Sequence, residues 1–365
     1  METKIYALGS NGRGQLGMGH QEDTSTPQEV KTHAPIRSRI KGIACGGNHT
    51  IVLFEDGTIA STGENDDGRC VNSALGLQIT LTNLPASNRS DSGYTDVAAT
   101  WNATILTNGK EVFSCGSGNS GELGLGPTIS TAKLQSKIEN FPPKGTTVRK
   151  LASCMGHVVA VLSNGEVWGW GKGRKGQLGE PLENRSTPSK VEAIPFSVVN
   201  AVCGKDFTCV FGHPSTGELL VLGPSSNDRF GIKENAPSAV PEWKQVCASW
   251  GSIYVLLDSG RITAWGRDDH GQLPPPDLPL LRTFAAGSEH CLCVTEAGKV
   301  LAWGWGEHGN CGSPTESHGD VKGRWNILET LDRTYAVFSG CATSFILANG
   351  PAESQAISNT NGVSG

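Results

Sequence analysis

Long apolar runs are missing from this 365-residue chain. No stretch approaches the roughly 18 apolar residues needed to cross a bilayer, which argues against a membrane-spanning helix. Met1 to Ser10 lacks a basic region followed by an apolar segment, so no secretory leader is expected and the chain reads as intracellular. The 11 cysteines include no Cys-x-x-Cys pair. Zinc ligation needs four converging thiolates or imidazoles at local spacing, so no metal is expected, and the thiols read as reduced small hydrophobes rather than a disulfide frame. Charge is sparse at 18%, and the formal net charge of −5 has the wrong sign for tight binding to phosphate backbones. Nucleic acid is therefore not an expected partner. Helix caps leading into 3.6-residue periodicity are absent, which disfavours a parallel α/β sheet. There is also no Gly-x-Ser-x-Gly elbow, nor a Ser or Cys beside an evident base, so neither enzymatic activity nor a cofactor is expected.

Glycine, by contrast, is abundant, with 48 in 365 residues against a usual share of about 7%. Much of it falls in a repeat. Seven turns align at Asp56-Gly57, Asn108-Gly109, Asn164-Gly165, Thr216-Gly217, Ser259-Gly260, Ala297-Gly298 and Asn349-Gly350. Asn-Gly or Asp-Gly between alternating apolar residues is the strongest short-range hairpin signal. A strand is expected before each turn: Thr50 to Phe54, Ala103 to Leu106, Val158 to Leu162, Thr208 to Phe211, Ile253 to Leu257, Cys291 to Val294 and Ser344 to Leu347. After six turns a second strand ends in glycine, at Gly63, Gly116, Gly171, Gly223, Gly266 and Gly304. The seventh turn lacks that strand, whereas Lys4 to Gly9 is such a strand with nothing before it. Joining the two ends completes a seventh unit and closes a ring without a free sheet edge. Turn glycines stand about 38 to 56 residues apart, close to the roughly 40 to 50 residues of a four-stranded propeller blade. The expected fold is all-β: one seven-bladed β-propeller over residues 1–350, followed by a disordered polar tail at 351–365. The short fifth and sixth units, around Pro274-Pro275-Pro276 and Arg282, are expected to have trimmed outer strands.

Four segments satisfy Gly-x-Gly-x-x-Gly, at Gly12 to Gly17, Gly116 to Gly121, Gly171 to Gly176 and Gly304 to Gly309. A dinucleotide loop of that form needs a helix directly after it, and here strands or Pro-containing turns follow. The glycines therefore read as turn formers. His49, His157 and His290 share one position just before the first strand, where other repeats carry Asn102, Phe207, Ile253 or Thr343. Each is expected to be hydrogen-bonded within its own blade. Cys45, Cys203 and Cys247 are expected to form a packed ring near the axis.

The segment Gly171-Lys172-Gly173-Arg174-Lys175-Gly176-Gln177-Leu178-Gly179 has similar copies starting at Gly9, Gly63, Gly116, Gly266 and Gly304. This pattern resembles the regulator-of-chromosome-condensation repeat family. Its repeats combine a Gly-x-x-His start, an Asp-Gly turn and a Trp-Gly-x-x-x-x-Gly-Gln-Leu-Gly ending. The copy from Gly223 to Gly231 departs from it, with Asp228 where glycine is expected, so the fourth blade is degenerate. Gly287 to His290, Trp303 to Gly312 and Gly340 to Thr343 are most similar to a fungal branch of the family. That resemblance implies a non-enzymatic heterodimer with a small CSL zinc-finger protein that carries iron and electrons. The pair would support diphthamide formation on elongation factor 2 and Elongator-dependent modification of tRNA wobble uridines, in cytoplasm and nucleus. Self-association is not expected. A guanine-nucleotide exchange factor for a small GTPase, or an adaptor for tubulin or a ligase assembly, are the competing readings.

Antiparallel pairing puts the loop before each first strand and the loop after each second strand on one face, opposite the Asp-Gly turns. In the last three blades this rim gathers Trp250, Arg267, Asp268, Asp269, His270, Glu289, Trp305, Glu307 and His308. Trp and Arg are favoured binding anchors, so Trp250, Arg267, Asp268, His270, Glu289, Trp305, Glu307 and His308 are the candidate partner-binding residues. Lys205 and Asp206 are further rim charges, and Arg174-Lys175 reads as a small basic spot on solvated surface.

Overall fold

Each hairpin is set by its turn. In six of the seven turns the glycine holds a φ between 69° and 88°, at Gly57, Gly109, Gly165, Gly217, Gly260 and Gly298, where an L side chain is strained. The computed structural model describes residues 3–350 except 34, 37, 84–92, 225–226 and 331–332, so the tail expected at 351–365 lies outside the described residues. Those residues form 26 strands in seven antiparallel sheets, arranged as the blades of a propeller. The seven expected first strands are all present, five of them starting one residue earlier at His49, His157, Ser252, His290 and Thr343.

Blade one orders Ile40–Cys45, His49–Phe54, Ile59–Gly63 and Gln78–Asn83 from axis to periphery. The innermost strands of neighbouring blades touch all round the ring, including Arg333–Ser339 against Ile40–Cys45. The ring is closed in blade seven, whose order is Thr24–Glu29, Thr3–Gly9, Thr343–Asn349, Arg333–Ser339. There the two ends of the chain pair without a slip, from Thr3 opposite Asn349 to Gly9 opposite Thr343.

Blades four and five are the three-stranded ones. The trimming expected in the fifth unit is present, but that expected in the sixth falls in blade four instead, and blade six keeps a nine-residue outer strand, Asp320–Leu328. The reason is one of register along the chain. Residues lost between two turn glycines come out after the second strand of the blade that owns the first of them. In blade four residues 227–236, after Leu219–Leu222, fold into turns and form no outer strand.

The core lies between blades. One cluster joins Tyr254 and Leu256 of blade five, Phe284 and Trp303 of blade six, and Leu8 and Ile346 of blade seven. Three second-strand tryptophans are buried between blades, and each indole N–H donates to a carbonyl in the loop of the preceding blade: Trp170 to Glu122 at 2.9 Å, Trp265 to Ile232 at 2.9 Å and Trp303 to Gln272 at 3.1 Å. Burying these rings therefore also fixes the rim loops.

The three repeated histidines, one residue along at the same end of the hairpin, do the same job. His49 Nε2 lies 2.9 Å from Thr104 Oγ1, His157 Nε2 3.0 Å from Thr208 Oγ1, and His290 Nε2 2.9 Å from Ser344 Oγ. Each partner belongs to the next blade, so the expectation of a bond within one blade is corrected. The preceding glycine makes room for the ring, since a Cβ on Gly287 would enter the His290 imidazole.

Burial pushes these imidazoles down, His49 to about 3 and His157 and His290 to about 4, from an ordinary 6.5. The unfolded chain binds protons at these positions near pH 6.5 while the fold does not, so stability is lost as pH falls from 6.5 towards 4. Urea unfolding at a series of pH values should show a slope approaching about 1.4 kcal/mol per pH unit for each histidine in the middle of that window. A flat profile from pH 6.5 to 5 would contradict the buried neutral rings.

Candidate partner-binding rim

The repeated loop motif has a mechanical origin. In three loops the Gln of Gly-Gln-Leu accepts, through Oε1, a backbone N–H two residues earlier at 2.9 Å: Arg13 to Gln15, Lys175 to Gln177 and His270 to Gln272. The glycine ending the second strand brings that loop against its neighbour. Gly304 has φ +100°, and a Cβ there would lie 2.6 Å from the Glu289 carbonyl. Trp305 N–H then donates to that carbonyl at 2.9 Å, as Glu64, Ser117, Lys172 and Arg267 do in their blades. Both loop sets therefore emerge on one face, as antiparallel pairing requires.

Neighbouring blades are also sutured along this face. Gly47 N–H donates to Trp101, Trp101 to Met155, Lys205 to Trp250, Trp250 to Ser288 and Ser288 to Gly340, each at 2.8–2.9 Å. Trp101 and Trp250 come from blades two and five and meet over the axis, ring centroids 6.1 Å apart. Beneath them is a cavity of about 120 Å³ bordered by Cys45, Cys154, Met155 and Cys341. The axial channel continues to the opposite face as a space of about 720 Å³. Of the expected cysteine ring, Cys45 borders the roofed cavity and Cys247 the channel, while Cys203 packs into the core against Val210 and Leu178. Burial raises the thiols, Cys341 and Cys247 to about 11 and Cys45 to about 12, which leaves them poor nucleophiles. No group of three or more His, Cys, Asp or Glu among the described residues is placed to hold a metal ion.

Four of the candidate residues converge between blades five and six. Arg267 grips Asp269 with two bonds of 2.6 and 2.9 Å and bonds Glu289 through its other guanidinium nitrogen. The Gln272 amide, a plain loop staple elsewhere, here also donates to Asp269 at 3.0 Å and Glu289 at 2.7 Å. Glu289 is only 1% exposed. Burial pushes its carboxyl above the usual range against the pull of Gln272 and Arg267. Asp269 shows the opposite balance: partial desolvation raises it, but the bonds from Arg267 and Gln272 hold it at about 2. Above this network His270 stacks on Trp305, centroids 5.0 Å apart and planes within 16°, with His270 Nδ1 2.8 Å from Asp320. Trp305 donates its indole N–H to His318 at 3.2 Å.

The remaining candidates lie apart. Asp268 turns back to accept Leu273 N–H at 2.9 Å and shapes its own loop. His308 reaches Asp23 of the closing blade at 2.9 Å. Glu307 is exposed beside them, and Trp250 belongs to the axial roof. Sequence reasoning missed Trp101, 37% exposed, although it occupies the loop position that Trp250 holds in blade five. It also missed Gln272, whose role in the shared motif hides its second one.

Replacing Gln272 with Leu removes the amide donor from two carboxylates and should cost about 1–3 kcal/mol. The Glu289 carboxyl would rise further. A carboxyl whose folded pKa exceeds its unfolded value loses stability as pH rises through it, so the deficit of Gln272→Leu should be larger at pH 8 than at pH 5 in urea unfolding. An equal deficit at both would contradict the network.

Comparison with known proteins places this geometry. A family model described as the RCC1-like domain matches residues 4–346. An RCC1 repeat-containing protein of Schizosaccharomyces pombe is 30% identical over 363 residues, covering 94% of this chain and 98% of that protein. The secretion-regulating guanine nucleotide exchange factor of Bos taurus is 28% identical over 290 residues, but the match spans only 61% of its length. Among solved structures, Prp20p of Saccharomyces cerevisiae, described with its binding to Gsp1p and histones, superposes with a TM-score of 0.78 at 20% identity, covering 97% of this chain and 93% of that one.

Proposed function

The chain belongs to the RCC1-like domain family, and from that premise we propose that it is a non-catalytic scaffold whose late-blade rim docks a small CSL zinc-finger protein. In this reading it resembles the fungal alpha-tubulin suppressor, also called a killer-toxin-insensitivity protein. The heterodimer serves diphthamide formation on elongation factor 2 and Elongator-dependent tRNA modification, in cytoplasm and nucleus.

One observation carries the docking surface. The Trp305–His270 stack is held over a network in which Arg267 and Gln272 already satisfy the buried Glu289. A half-buried aromatic on a rigid, internally satisfied base is the form binding hot spots take, because little entropy remains to be lost on association. The choice of partner is supported by the late-blade segments Gly287 to His290, Trp303 to Gly312 and Gly340 to Thr343, which carry the fungal resemblance.

Guanine-nucleotide exchange on a small GTPase is the second reading, favoured by the name of the bovine relative. A pull-down with the full chain separates the two. Recovery of a stoichiometric Cys-rich zinc-finger protein supports the first, and a GTPase whose nucleotide release is accelerated supports the second. With the zinc-finger protein in hand, Trp305→Ala combined with Glu307→Lys should weaken binding by about tenfold or more in calorimetry, as expected for loss of an aromatic hot spot, with the circular dichroism of the ring unchanged. Unchanged affinity would remove the late-blade surface.

A further inference from the structure

The densest positive charge on the rim lies away from the late-blade network. Lys172, Arg174 and Lys175 follow the blade-three strand Val167–Gly171, Lys205 precedes the blade-four strand Thr208–Phe211, and Arg229 and Lys233 stand in the turns that replace the blade-four outer strand. All six are exposed, and none takes part in an ion pair among the described residues. The carboxylate nearest in sequence to Arg229 forms no ion pair with it, because Asp228 is turned to accept backbone N–H groups from Ile232, Lys233 and Glu234 at 2.8, 2.8 and 3.0 Å. In a chain of net charge −5, such a gathering on adjacent loops needs a reason beyond solvation.

These loops surround a pocket of about 260 Å³. Its floor is the buried Phe207 and Ile232, and its walls include Phe230 and Trp250. Phe230 is held by two guanidinium groups, Arg229 and Arg267, at 5.2 and 5.3 Å from its centroid. Trp250 is fixed by backbone bonds on both sides, from Lys205 and to Ser288. Small-molecule sites usually occupy about 300–1,000 Å³, so this pocket is better matched to one large side chain than to a free ligand.

We infer that the rim between blades three and five docks an acidic peptide segment of a partner protein. An aromatic side chain of that segment fills the Phe230–Trp250 pocket while its carboxylates pair with Lys175, Lys205 and Arg229. The surface shares Trp250 with the late-blade residues and touches Arg267 through Phe230, and it does not rest on the zinc-finger reading. A peptide fits better than a nucleic acid strand because the positive region is local. Carboxylates flank it on the late-blade side, Asp268 and Glu307 on blades five and six, and these would repel a phosphate backbone running on past the pocket.

The test uses the full chain and a fluorescein-labelled synthetic hexapeptide with one tryptophan among aspartates and glutamates, followed by anisotropy. Saturable binding is expected, weakening with added salt as screened charge pairs do. Replacing the peptide's tryptophan with glycine should reduce affinity about tenfold, the scale of a lost aromatic anchor. The triple variant Lys175→Glu, Lys205→Glu, Arg229→Glu should lose at least that much with an unchanged circular dichroism spectrum, because these side chains are exposed. The Trp305→Ala, Glu307→Lys variant should still bind the peptide, so failure of one surface is distinguishable from failure of the other. Equal binding by the triple variant, or no saturation at millimolar peptide, would overturn the proposal. Tighter, equally charge-dependent binding of an oligouridine would also overturn it and assign the surface to nucleic acid.

Discussion

Everything on the rim depends on the pairing of Thr3–Gly9 with Thr343–Asn349. Seven residue pairs hold in unbroken register, which places the first and last segments of the chain in one sheet and removes the edges a linear array of hairpins would expose. Because the core lies between blades rather than within them, no blade is complete without both neighbours. Leu8, contributed by the N-terminal strand, packs in the same cluster as Trp303 and Tyr254 of blades six and five. Opening the closure would therefore loosen the sector that carries Trp305 and His270.

The same packing explains how a chain so rich in glycine presents an ordered surface. Indole N–H groups, blade-to-blade histidine bonds and the chain of backbone bonds from Gly47 to Gly340 all cross from one blade to the next. Repeated features such as the Gln of Gly-Gln-Leu and the Gly before His290 serve this framework. Individual character enters where a framework residue acquires a second task. Gln272 clamps two carboxylates, and the blade-four turns trade an outer strand for an aromatic-walled pocket rimmed by Lys175, Lys205 and Arg229 beside Asp206 and Asp228.

That division also explains what was legible in the sequence. Hairpins governed by local turn chemistry could be read closely, Thr208–Phe211 to the residue, and the half-units at the two chain ends implied the closure. Outer strands were harder, because Asp320–Leu328 has no fixed turn before it and the spacing of turn glycines does not say which blade has lost residues. The histidine bonds and the Trp101–Trp250 roof join positions about 50 to 150 residues apart in sequence, which no local pattern encodes. Of the candidate site, Arg267, His270, Glu289 and Trp305 could be grouped from topology alone. Asp268 could not be separated from them, since its inward turn onto Leu273 depends on the conformation of the loop.

Native-state hydrogen exchange measures the closure directly. If the two ends form one cooperative unit, amides of Ile5 and Ala7 should exchange with the same slow, global free energy as those of Phe345 and Leu347. Exchange of the N-terminal strand at markedly lower free energy, with Thr343–Asn349 still protected, would show that the ring stands without its clasp and would contradict the account.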